Sequence, residues 1–113
     1  MKISKNLLLG MLLIASLPAA ADFTTITRAY EARLSNFRPP ASQNGIVAFK
    51  ECSECELLAV PVTSDTRYVL NRQSVSLTDF RASLSTVRDR DSETVIVEHH
   101  LESDLVTTIS ITL

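Results

Sequence analysis

The sequence predicts an α+β fold, a small single domain in the order α-β-β-β-α-β-β, with a mainly antiparallel sheet and helices packed on one face. Three observations predict it. Apolar stripes at helical spacing occur twice, in TTITRAYEARLSNF and in SVSLTDFRASLSTVRDRDS. Short β-branched runs bounded by turn residues fill the rest of the chain. The length is 113 residues, enough for one core.

The chain opens MKISKNLLLGMLLIASLPAAADF. Lys2 and Lys5 precede an apolar run from Leu7 to Leu17, and Pro18 stands before Ala19-Ala20-Ala21. This is the layout of a cleaved secretory signal peptide over 1–21, with cleavage expected between Ala21 and Asp22. The apolar run is shorter than the roughly 20 residues that span a bilayer, so no stable membrane anchor is expected after processing. The short basic start points to bacterial export and a periplasmic or secreted protein.

The expected mature domain is 22–113. Cleavage removes two of the 11 basic residues and none of the 13 acidic ones, so nine oppose 13 and the formal charge is −4. Eight of the nine are arginines spread along the chain, and Lys50 is the remaining one. An acidic domain without a basic run gives no electrostatic reason to bind nucleic acid.

Element by element, residues 22–38 read as an N-terminal helix. Ile26, Tyr30, Leu34 and Phe37 share one helical face, Thr24 or Thr25 can cap it, and Pro39-Pro40 stops it. Residues 46–75 read as strands: IVAFKEC, then ELLAVPVT, then TRYVL, with Ser74-Val75 pairing back after a turn at Asn71-Arg72-Gln73. Pro61 assigns the second of these to an edge or a bulge, because proline donates no ladder hydrogen bond. Residues 76–89 read as a helix, begun by Ser76 with Asp79 three residues on and carrying Leu77, Phe80, Leu84 and Val87 on one side. The run Arg88-Asp89-Arg90-Asp91 reads as its solvated end. Residues 94–113 read as a β-hairpin around Glu102-Ser103-Asp104, with Leu105, Thr107, Ile109, Ile111 and Leu113 on its apolar face, alternating with Val106, Thr108, Ser110 and Thr112. The segment YVLNRQSVSLTDF resembles the hairpin-then-helix part of periplasmic domains in the biopolymer-transport accessory proteins. Those proteins keep an uncleaved anchor, which this chain is expected to lose.

The chemistry-bearing residues are few. FKECSECELL places Cys52 and Cys55 three apart with Glu51, Glu54 and Glu56 among them. An even cysteine count, a small domain and an exported chain predict a structural disulfide. A redox role needs a stabilised thiolate, which the three glutamates oppose. A metal role would add His99 and His100 to the two cysteines. Adjacent strand residues point to opposite faces, so both histidines rarely ligate together. No nucleophile, P-loop or dinucleotide motif occurs. The expectation is a non-enzymatic binding or structural module with a CxxC disulfide, no cofactor and an unidentified protein partner. The alternative is a thiol-redox or metal-binding protein acting through Cys52 and Cys55, with His99 or His100.

Overall fold

Residues 26–113 are described in the structure, a computed structural model. The expected signal peptide, its cleavage point at Ala21 and Asp22, and residues 22–25 of the expected first helix lie outside the described residues. The order of elements is β1 (Thr27–Arg33), β2 (Phe37–Arg38), β3 (Ile46–Phe49), β4 (Leu58–Pro61), β5 (Arg67–Leu70), β6 (Gln73–Val75), α1 (Leu77–Ser85), β7 (Thr94–His100) and β8 (Leu105–Ile111). Short 3-10 turns cover Leu34–Asn36 and Arg90–Ser92. The described residues therefore form mostly antiparallel sheet with one α-helix.

The expected N-terminal helix is corrected to a strand. Ile26, Tyr30 and Leu34 are four residues apart, and four is a multiple of the strand period as well as close to the helical one. The strand buries Tyr30 and Ala32 and exposes Glu31 and Arg33. Arg28, on the inward parity, lays its guanidinium 4.7 Å from the Tyr30 ring centroid, a cation–π contact that keeps its charge near water.

The expected single sheet is also corrected. There are two: a five-stranded sheet in the order β1-β7-β8-β5-β6, and a three-stranded sheet in the order β2-β3-β4. All pairs are antiparallel except β5 with β8. One row across the inner face of the larger sheet runs Tyr30, Val97, Ile109, Tyr68, Val75. Two covers share that face. At the β5 end, α1 packs Phe80 against Tyr68, ring centroids 5.3 Å apart. At the β1 end, Phe49 of the smaller sheet meets Tyr30, also at 5.3 Å. The core is thus sheet on sheet over one half and helix on sheet over the other. β4 is an edge strand, in keeping with Pro61.

The second helix is shorter than 76–89. Ser76 caps it by accepting the Asp79 backbone N–H at 3.1 Å. Leu77, Phe80 and Leu84 are buried. Its far end is held by Arg90, whose Nη1 donates to the Leu84 carbonyl at 2.8 Å. The C-terminal hairpin forms as β7 and β8, with Ile109 and Ile111 buried as expected. Leu105, Thr107 and Leu113 do not join them; Leu113 lies beyond the end of β8 and is exposed. The ladder pairs Glu98 with Thr108 and His99 with Val106, so Thr107 is an extra residue on β8. That bulge reverses the parity, and Val106 is buried in place of its neighbours.

Candidate functional site

The sulfur atoms of Cys52 and Cys55 are joined in a disulfide, with Cα atoms 5.0 Å apart. The bond lies in the connection between Phe49 of β3 and Leu58 of β4, and the Cys55 N–H donates to the Cys52 carbonyl at 3.1 Å. Cys52 is exposed and Cys55 half-buried, and Glu51, Glu54 and Glu56 all point to water. Cys52 shares a small cavity with Arg33 and Asn36.

The histidines stand elsewhere. Arg28 pairs with His99 at one end of β1, while Arg33 at the other end borders Cys52. Five residues of strand separate those ends by about 17 Å. The structure therefore does not bring His99 or His100 to Cys52 and Cys55. Among the described residues no group of three or more histidine, cysteine, aspartate or glutamate side chains is placed to hold a metal ion. The two histidines do take opposite faces. His99 is buried, its ring stacked on Tyr30 with centroids 6.1 Å apart and its Nε2 2.8 Å from Asp104 Oδ1. His100 Nδ1 accepts the Ser103 backbone N–H at 3.2 Å on the other side. These contacts fix the hairpin loop, where Asp104 takes a φ of 60°.

Two polar atoms are buried without a partner among the described residues, His99 Nδ1 and the Tyr68 hydroxyl. Burial raises the Tyr68 phenol above its usual 10.0, so the group is neutral in the fold. It faces Phe80 inside the core, not a cleft.

The outer face of the three-stranded sheet is what sequence reasoning missed. The inward set is Phe37, Val47, Phe49 and Val60. The outward set follows from the register. Arg38, Ala48 and Ala59 form one row, and Ile46 and Pro61 another. The Lys50 N–H donates to the Asn36 carbonyl at 3.0 Å, which extends the ladder one step. The β3–β4 register continued by that step sets Leu57 across from Lys50. Toward one end of the face Arg38 stands beside Ala48 and Lys50 beside Leu57, while Ile46 stands beside Pro61 at the other end; Ile46 and Leu57 are 59% and 58% exposed. Ser35, Asn36, Arg38, Ala48, Lys50 and Leu57 line a groove of about 380 Å³ along it. The signal was present in IVAFKEC, whose alternate residues Ile46, Ala48 and Lys50 oppose Val47 and Phe49.

No family model, no curated protein and no solved structure matches the chain. Among the described residues no helix is long and apolar enough to cross a membrane.

Proposed function

We propose that this chain is an exported, non-enzymatic module that binds a protein partner through the outer face of its three-stranded sheet. The observation that carries the reading is the exposure of Ile46 and Leu57, set beside Ala48, Ala59 and Pro61 on one face. Ile46 and Leu57 stand at the two ends of the face, about 14 Å apart by strand rise, and Ala48, Ala59 and Pro61 between them join the two into one apolar strip of the kind that marks contact sites. In this reading the Cys52–Cys55 disulfide is a structural clasp. It ties the connection that presents Lys50 and Leu57, and it suits the oxidising compartment to which the N-terminal segment would send the chain. Affinity capture from the native periplasm tests it. Wild-type protein should retain a partner that the double substitution Ile46→Ser, Leu57→Ser releases, with melting temperature little changed. Equal capture by both would refute this face as the contact.

Thiol–disulfide exchange is the second reading, favoured by one observation: exposed Cys52 shares its cavity with Arg33, a cation able to stabilise a thiolate, although Glu51 lines the same cavity and opposes it. Equilibration with glutathione separates the two. A clasp stays oxidised at cytosol-like poise, while an exchanging pair is reduced by it.

A further inference from the structure

The binding face carries more than apolar area. Arg38 pairs with Ala48, and Lys50 is two residues beyond Ala48 on β3, so the two cations are diagonal neighbours. Such neighbours stand about 7–8 Å apart, close enough for one carboxylate to lie between their flexible heads. Among the described residues neither cation lies within salt-bridge distance of a carboxylate. No acidic residue lines the groove. In a chain with more acidic than basic residues, two cations on one groove without a carboxylate partner among the described residues are a local reversal of sign. Across the groove, Leu57 lies opposite Lys50 and is largely exposed.

We propose that the groove between the Leu34–Asn36 turn, β2 and β3 receives an extended segment of a partner protein that carries a carboxylate side chain next to an aliphatic one. The carboxylate sits between Arg38 and Lys50, where the Arg38 guanidinium can present two parallel donors. The aliphatic side chain lies on Leu57 and Ala48. Ser35 and Asn36 at the groove's end offer further polar groups to the segment's backbone. This deepens the function proposed above and rests on it. Charge chooses the partner and the approach, while the apolar half supplies contact area. An anionic membrane is the less suitable occupant, because the exposed Glu51, Glu54 and Glu56 on the adjoining connection would face the same surface.

The test uses the mature protein and a synthetic pentapeptide, acetyl-Leu-Glu-Val-Asp-Leu-amide. Its controls are the versions with Gln and Asn, or with Lys, in place of the acids. Titration followed by amide NMR shifts should perturb Asn36, Ala48, Lys50 and Leu57. Affinity should fall roughly tenfold for the Gln/Asn peptide, fall similarly for the variant R38Q/K50Q, and weaken with added salt. No binding, shifts elsewhere, or equal affinity for the three peptides would overturn the proposal. So would cation-dependent binding to phosphatidylglycerol vesicles without peptide binding. Partner capture separates this failure from failure of the broader reading. If Ile46→Ser, Leu57→Ser releases the natural partner and R38Q/K50Q does not, the binding module stands and the acidic occupant falls.

Discussion

The two sheets bury their inner faces against one core, yet their outer faces differ. On the larger sheet, one outward row runs Glu31, Ile96, Ser110, Val69, Ser74 and the next Ala29, Glu98, Thr108, Arg67. Acids, hydroxyls and a few β-branched residues alternate there, and Arg67 reaches Ser74 Oγ at 3.4 Å. This is what a solvated sheet face requires. On the smaller sheet, the exposed Ile46 and Leu57 share a face with Arg38 and Lys50, which have no carboxylate partner among the described residues. None of the four belongs to the core. The difference teaches that the smaller sheet has two jobs: its inner face closes the core over Tyr30, and its outer face holds residues that folding alone does not need.

The sharpest test of that division is a pair of substitutions at the two ends of β3, on opposite faces. Phe49 is fully buried against Tyr30, so Phe49→Ala should cost about 3–5 kcal/mol in denaturant melts. Ile46→Ala, on the outer face, should stay within about 0.5 kcal/mol. Comparable losses would mean that the outer face is part of the fold's stability and not a surface held in reserve.

The larger sheet offers the same contrast. Ile109→Ala should cost about 2–5 kcal/mol, since Ile109 is completely buried. Ser110→Ala, pointing outward, should stay within about 0.5 kcal/mol. The bulge at Thr107 adds a finer comparison, because it buries Val106 and leaves Leu105 half-exposed. Val106→Ala should therefore destabilise more than Leu105→Ala, although leucine is the larger residue. The reverse order would remove the bulge.

That bulge also marks the limit of what the sequence shows. The strand at 105–111 was legible from its alternation, and so were Ile109 and Ile111 as inward residues. A parity reversal inside the strand has no signature, since Val106 and Thr107 are both β-branched. β1 was misread for a related reason. Its buried residues beyond Tyr30 include Ala32, too small to register as part of a stripe, and its inward Arg28 is stabilised by a ring the sequence does not place beside it. The turn-rich segments fared better: Ser76 as cap, Pro61 at an edge and a turn at Asn71-Arg72 each follow from local backbone chemistry, although Gln73, expected in that turn, pairs with Leu70 as the first residue of β6. The division into two sheets depends on long-range pairing, as does the meeting of Arg38, Lys50 and Leu57 on one face. Local pattern does not encode that partnership.

The disulfide is the next largest effect. It closes a loop with two residues between the cysteines, so it restricts the unfolded chain only modestly. Replacing both cysteines by serine should cost about 2 kcal/mol or less and leave the fold intact. Its sharper consequence is local. Amide exchange in the β3–β4 connection should quicken, while β7 and β8 keep their protection. Uniform loss of protection would assign the disulfide to the core and not to the binding face.

The smallest effect compares two of the hairpin connections. The one between β3 and β4 is long and covalently tied. The one between β5 and β6 has two residues, Asn71 and Arg72, with φ of 52° and 72°. Both central residues in the left-handed region is the geometry that matches the right-handed twist of paired strands. Asn71 tolerates it and gains from it: its Oδ1 accepts the Leu113 backbone N–H at 2.8 Å. Arg72 bears a Cβ in a conformation that costs an L-residue about 1–2 kcal/mol. Glycine removes that strain and restores the Asn-Gly pair such turns favour, while adding freedom to the unfolded chain worth about 0.5–1 kcal/mol in the other direction. Arg72→Gly should therefore stabilise slightly, by about 0.5 kcal/mol. Asn71→Gly loses the bond to Leu113 and should not. Chemical denaturation of the two variants side by side checks the order. Destabilisation by Arg72→Gly would mean that the Arg72 side chain supports the turn through contacts that outweigh its backbone strain.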